Sequence, residues 1–131
     1  MKETENRLII SVVDDLLFAS KIKAAARTLQ VDVRFVKNAS QALEIARTGI
    51  VSHFIADLQS DASDVFTMAE ALKARPEFSN ARFVGFYSHV FTKIPEKALA
   101  HGFDEAIPRS AFTRNVVDIL RGAGAQTNHS A

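Results

Sequence analysis

Apolar residues along the chain fall into short runs that are separated by longer amphipathic segments. Four runs of aliphatic, β-branched and aromatic residues and a fifth, weaker one predict strands at 8–13, 31–36, 53–58, 82–87 and 105–107. The first, third and fourth runs are almost continuously hydrophobic, which is typical of parallel strands covered on both faces. The second run, VDVRFV, alternates apolar and polar residues, which favours a place nearer the edge of a sheet.

The segments between these runs have helical periodicity. They predict helices at 16–29, 40–48, 64–74, 95–101 and 111–120. Leu17 and Ile22 fall on the apolar stripe of the first helix. Asn38 followed by Gln41 resembles a capping box for the second helix, and Ser110 is a candidate cap for the last.

Strand–helix alternation repeated five times predicts an α/β fold with a doubly wound parallel sheet. Right-handed crossovers leave few topologies, of which the flavodoxin-like strand order 2-1-3-4-5, with helices on both faces, is the commonest at this length. We expect one domain over residues 7–121, preceded by an N-terminal extension, 1–6, and followed by a disordered tail, 122–131.

Composition narrows the classes of function. The 131 residues carry a formal net charge of +1, and the basic residues are scattered, so neither nucleic acid nor a membrane surface is an expected partner. The absence of cysteine excludes disulfides and thiolate sites. No apolar run approaches the roughly 18 residues of a transmembrane helix, and the charged start is not a signal peptide, so we expect a cytoplasmic protein. Most of the ten phenylalanines are expected in the core.

Polar residues stand where the predicted strands end. Asp14 and Asp15 follow the first strand, Asp57 ends the third, Ser88 follows the fourth and Arg109 follows the fifth. In an open parallel sheet, the carboxyl ends of the strands form the binding crevice at the point where strand order reverses. The sequence therefore predicts that three carboxylates, a hydroxyl and a cation converge at one edge of the sheet.

Three neighbouring carboxylates require compensation. At an effective dielectric constant near 20, two unit charges about 4 Å apart repel each other by roughly 4 kcal/mol. Either one carboxyl group stays protonated or a cation lies among them. Oxygen-only ligands at an open mouth favour Mg²⁺, with Mn²⁺ as an alternative occupant. Such a site can bring a phosphoryl donor to a carboxylate and form an aspartyl-phosphate.

These motifs, in this order and spacing, resemble the receiver domain of two-component response regulators over about residues 7 to 121. The resemblance is carried by VVDD at the end of the first strand, ADL at 56–58, FYSHV around residue 88 and HGFDEAIPRSAF before the last helix. It implies a bacterial, single-domain response regulator in a phosphorelay. No enzymatic activity is expected beyond self-phosphorylation from a phosphodonor and autodephosphorylation.

The resemblance also implies roles for individual residues and partners. Asp57 would accept the phosphoryl group from a histidine kinase or a phosphotransfer protein. Asp15 would bind Mg²⁺ directly, Asp14 mainly through water, and the backbone carbonyl of Gln59 would complete the protein ligands together with Asp57. The Ser88 hydroxyl would hydrogen-bond the phosphoryl group. A downstream protein would bind the face formed by helix 4, strand 5 and helix 5.

The sequence departs from the family pattern on the signalling side. Arg109 replaces a nearly universal lysine, and its planar fork has a different reach from an ammonium group. Ala106 stands where an aromatic switch residue is usual, and His89 stands where a small residue is usual. QSDASD replaces the usual loop after the acceptor.

Other interpretations stay open for the same residues. Asp15 could be a helix cap and Arg109 a surface ion-pair residue. The fold could also serve as a phosphorylation-independent pseudo-receiver, in which Arg109 permanently neutralises the acids and the domain only binds proteins. A phosphatase with an aspartyl nucleophile is disfavoured, because Gln59 stands where a second acid would be needed.

Overall fold

A computed structural model describes residues 7–60, 63–88 and 93–121. The strands are β1 (Arg7–Val12), β2 (Asp32–Phe35), β3 (Ile50–Asp57), β4 (Arg82–Tyr87) and β5 (Glu105–Pro108). The helices are α1 (Leu16–Leu29), α2 (Ala39–Ala46), α3 (Val65–Lys73), α4 (Lys93–Ala100), α5 (Arg109–Arg114) and α6 (Val116–Arg121), with a 3₁₀ turn at Pro76–Phe78.

The five strands form one parallel sheet in the order β2-β1-β3-β4-β5. This is the predicted flavodoxin-like topology, and the alternating run VDVRFV indeed provides an edge strand, β2. Strand order reverses between β1 and β3, so the crevice at their carboxyl ends is the expected binding position.

Buried side chains form two layers, one on each face of the sheet. On one face, Phe54, Phe83 and their neighbours pack against α2, α3, α4 and the 3₁₀ turn. On the other, Ile9, Ile55 and Phe86 pack against α1, α5 and α6. The almost continuously apolar strands are thus buried on both sides, as their sequence indicates.

Two details of the helix predictions are wrong. Leu17 is 63% exposed, and the buried face of α1 is formed by Phe18, Ile22, Ala25 and Ala26. Ser110 does not cap the last helix, because the helix already begins at Arg109. The capping role of Asn38 is confirmed, since its side chain accepts a hydrogen bond from the Gln41 amide at 2.8 Å.

Some sequence predictions fall outside the described residues. These are the extension 1–6, the tail 122–131 and His89. Within the described part of the chain, no helix combines the length and apolar character needed to cross a bilayer.

Candidate functional site

The polar residues singled out in the sequence lie at the carboxyl ends of four neighbouring strands. Asp14 and Asp15 lie in the short segment between β1 and α1, and Asp57 is the last residue of β3. Ser88 follows β4, and Arg109 begins α5 directly after β5. The topology therefore brings them to the same edge of the sheet, at the switch point.

Asp57 is nearly buried, and its two carboxylate oxygens have different partners. The residue is 7% exposed. Oδ1 accepts a hydrogen bond from the backbone amide of Gln59 at 2.9 Å. Oδ2 lies 3.4 Å from Nη2 of Arg109, with which it forms an ion pair. A buried carboxylate is stabilised only when it is paired and hydrogen-bonded, and these two contacts supply both conditions.

Arg109 lies within ion-pair distance of two of the three acids. Besides Asp57, its Nη2 is 4.0 Å from Oδ2 of Asp15. The guanidinium carbon lies 4.5 Å from the ring centre of Phe18 and 5.6 Å from that of Phe86. Nε of Arg109 is buried and has no hydrogen-bond partner among the described residues. The cation predicted from sequence therefore lies at the crevice, beside two of the acids, with its side chain 36% exposed.

Asp15 combines a place in the crevice with the role of helix cap. Its Oδ1 accepts hydrogen bonds from the amides of Leu17 at 2.8 Å and Phe18 at 3.3 Å, which caps the N-terminus of α1. Its Oδ2 is the oxygen that faces Arg109. Asp15 can therefore cap α1 and face the crevice at the same time, because each contact uses a different carboxylate oxygen.

Asp14 and Gln59 connect the acids to the loops around them. Oδ2 of Asp14 accepts a hydrogen bond from the Ser60 hydroxyl at 2.7 Å. Oε1 of Gln59 accepts one from the backbone amide of Ser88 at 2.6 Å. Gln59 therefore contacts the Asp57 carboxylate through its amide and the segment after β4 through its side chain.

The donor set has the chemistry of a magnesium site. Carboxylate oxygens from Asp14, Asp15 and Asp57 and a backbone carbonyl are the oxygen ligands that Mg²⁺ prefers. Yet within residues 7–60, 63–88 and 93–121, no group of three or more His, Asp or Glu side chains is arranged to hold a metal ion. Two of the carboxylates instead face the same guanidinium nitrogen. The donors are of the kind that Mg²⁺ prefers, and two of the carboxylates are paired with Arg109.

Sequence reasoning missed three contributors to this site. The Ser60 hydroxyl, the Gln59 side chain and the Phe18 ring each contact a residue of the crevice. Gln59 was considered only for its carbonyl, and one phenylalanine among ten gives no sequence signal that it lies beneath a cation.

No protein-family model matches the sequence, and no curated protein is significantly similar to it in sequence. Solved structures, in contrast, match over most of the chain. The chemotaxis response regulator CheY4 of Vibrio cholerae superposes with a TM-score of 0.71 at 11% identity, covering 90% of this chain and 98% of its own.

Two further matches are receiver domains whose structures include a ligand or a partner. The receiver domain of a sensor histidine kinase from Pseudomonas aeruginosa, solved with a magnesium ion in its active-site cleft, has a TM-score of 0.70 at 16% identity, with 90% and 96% of the two chains covered. The receiver domain of Ssk1 from Saccharomyces cerevisiae, solved with the histidine phosphotransfer protein Ypd1, has a TM-score of 0.66 at 15% identity, with 89% and 90% covered. At these identities the likeness establishes the receiver fold.

Proposed function

We propose that this chain, a receiver domain by fold, accepts a phosphoryl group on Asp57 and signals through protein contacts. The observation that carries the proposal is the environment of Asp57, a nearly buried carboxylate at the switch point with one oxygen fixed by an amide and the other facing a cation.

The two oxygens of Asp57 have separate tasks in this proposal. Oδ1 is held by the Gln59 amide, so Oδ2 is the oxygen available as nucleophile. It attacks the phosphorus of a phosphohistidine, an oxygen–phosphorus bond forms, and the phosphorus–nitrogen bond breaks to return the imidazole to the donor. Arg109, already beside Oδ2, stabilises the negative charge on the phosphoryl oxygens. The Ser88 hydroxyl, at the end of the neighbouring strand, would hydrogen-bond the transferred group.

Mg²⁺, or Mn²⁺ in its place, would be held by Asp15, Asp57 and the Gln59 carbonyl, with Asp14 acting through water. When bound, the ion supplies the positive charge that phosphoryl transfer between anionic groups requires. The magnesium ion in the Pseudomonas receiver domain supports this part of the proposal.

The proposed partners are proteins. A histidine kinase or a phosphotransfer protein would supply the phosphoryl group, and the solved complex of the yeast receiver domain with a phosphotransfer protein supports this class of donor. A downstream protein would bind the face formed by α4, β5 and α5. We expect no activity beyond self-phosphorylation and autodephosphorylation, no binding of nucleic acid or membrane, and a cytoplasmic location.

Intact mass measurement tests the acceptor. Wild-type protein incubated with Mg²⁺ and a small phosphodonor should gain the mass of one phosphoryl group, and Asp57→Ala should gain none. Asp118→Ala removes an exposed acid from α6 and should behave like wild type. An unmodified wild type, or an adduct that persists in Asp57→Ala, would show that the proposal is wrong.

A phosphorylation-independent docking module is the second candidate function, because Arg109 faces both Asp57 and Asp15. If the guanidinium permanently takes the place of the metal, Mg²⁺ should leave the melting temperature of wild type unchanged, whereas Arg109→Gln should be stabilised by Mg²⁺. If the site binds Mg²⁺ as a receiver, wild type itself should show a rise that grows with the ion concentration. Arg114→Gln, on the same helix, is the control for the loss of a positive charge.

A further inference from the structure

Three phenylalanine rings form a stack directly beneath the candidate site. Phe18 of α1 and Phe86 of β4 are stacked with ring centres 4.7 Å apart and planes 24° apart. Phe112 of α5 completes the stack, 4.8 Å from Phe86 and 6.1 Å from Phe18. All three side chains are buried, and each belongs to a different element that borders the crevice.

The Arg109 side chain lies on this stack. Its guanidinium carbon is 4.5 Å from the ring centre of Phe18 and 5.6 Å from that of Phe86, while its Nη2 reaches Asp57 at 3.4 Å. Among the described residues, no cation lies over the ring of Phe112. The guanidinium group is therefore held between an aromatic surface and a carboxylate.

This environment discriminates between arginine and lysine at position 109. A guanidinium is planar and weakly hydrated, so it stacks on aromatic faces and still donates in its own plane. An ammonium is compact and strongly hydrated, and it gains less from an apolar surface that it must dehydrate to reach. Nη2 is the guanidinium nitrogen that reaches Asp57, while Nε is buried without a hydrogen-bond partner in the described part of the chain.

We propose that Phe18 and Phe86 are positioning residues that fix the guanidinium of Arg109 against Asp57, so that position 109 of this chain requires arginine rather than lysine for phosphoryl uptake. The part that concerns uptake rests on the proposed function. The aromatic contact itself does not, and the two are measured separately.

The contact is measured by nuclear magnetic resonance. In wild type, the side-chain protons of Arg109 should be shifted upfield by the ring currents of Phe18 and should show nuclear Overhauser contacts to that ring. Phe18→Leu should abolish the upfield shift, whereas Phe112→Leu, which removes a stacked ring without removing a guanidinium contact, should retain most of it. Absence of the Overhauser contacts in wild type would overturn the proposal, even if Phe18→Leu does not fold.

The arginine requirement is measured by the rate of phosphoryl uptake. Arg109→Lys should slow uptake by about tenfold or more in wild type. The ammonium that replaces the guanidinium is not planar and stacks less well on the Phe18 ring. In Phe18→Leu the same substitution should cost much less, because the stacked surface is already reduced. Arg114→Lys, an exchange on the same helix outside the site, should leave the rate unchanged.

Equal losses from Arg109→Lys in both backgrounds would overturn the arginine requirement. If wild type takes up no phosphoryl group at all, the proposed function fails together with this requirement, and the resonance measurement still decides whether the ring stack positions Arg109.

Discussion

Arg109 makes the crevice of this chain different from a plain cluster of acids. A single nitrogen, Nη2, lies 3.4 Å from Asp57 and 4.0 Å from Asp15, so one cation offsets the repulsion between two carboxylates. The same nitrogen stands beside the proposed nucleophile. If Arg109 stays paired with Asp57, it neutralises the acid but occupies the oxygen proposed to take up phosphate. Phosphoryl uptake therefore requires the guanidinium to pair with the incoming phosphoryl group instead.

His53 in β3 is a second residue with an unusual environment, within the sheet and outside the crevice. It is 1% exposed, and its Nδ1 lies 2.9 Å from the Ser52 hydroxyl. Burial, followed by the charges of Arg7 and Arg82, lowers its pKa from 6.5 to about 4. The folded protein therefore holds this imidazole neutral.

This depressed pKa predicts acid sensitivity. Between pH 6.5 and about 4, His53 is protonated in the unfolded chain and neutral in the folded chain. The free energy of unfolding therefore falls as the pH falls. The full loss from this group is roughly 3 kcal/mol below pH 4, and above pH 6.5 the group contributes no pH dependence. Urea unfolding of wild type and His53→Phe across this range measures the difference.

The free energy of unfolding should fall less steeply with decreasing pH in His53→Phe than in wild type. His101→Gln, a change at a more exposed histidine, should keep the wild-type dependence. Parallel curves for wild type and His53→Phe would contradict the assignment.

Among the single elements, β4 shows how packing positions the end of β3, which carries Asp57. Gly85 lies on the sheet face where the Leu58 side chain packs, and a Cβ atom at residue 85 would overlap that side chain. Leu58 directly follows Asp57, and its amide donates a hydrogen bond to the Phe86 carbonyl at 2.9 Å. The absence of a side chain at Gly85 thus lets Leu58 pack closely and fixes the end of β3.

Gly85→Ala should therefore destabilise the protein by about 1–3 kcal/mol, because it overpacks this contact. In a Leu58→Ala background the same substitution should cost little, since the space is then open. The free energies of unfolding of wild type, the two single variants and the double variant give the coupling. A cost for Gly85→Ala that does not depend on residue 58 would contradict the packing role.

Element types were largely predictable from the sequence, and the errors have local causes. Leu17 matches the helical period but lies in the first turn of α1, where it is left exposed while Phe18 and Ile22 are buried. The last helix divides after α5, where the Asn115 side chain donates to the Ala111 carbonyl at 3.0 Å. The Asn115 amide keeps its own bond to the Ala111 carbonyl, and the break coincides with the non-helical backbone of Asn115, φ −116° and ψ 17°, which periodicity does not contain.

At the scale of the whole molecule, the strand order followed from the alternation of strands and helices and from the handedness of their connections. That order alone brought Asp15, Asp57 and Arg109 to one edge, so membership of the site was predictable. Their pairing was not, because it depends on side-chain directions and on the aromatic stack beneath. Among the described residues the structure places the guanidinium between acids where the sequence suggested a metal ion.

Phosphorus nuclear magnetic resonance tests most directly whether Asp57 accepts a phosphoryl group. Asp57→Asn keeps the shape of the side chain and its acceptor for the Gln59 amide, but it removes the nucleophile. With Mg²⁺ and a small phosphodonor, wild type should give an acyl-phosphate resonance that disappears with hydroxylamine and is absent from Asp57→Asn. No such resonance in wild type, or the same resonance in Asp57→Asn, would contradict the account.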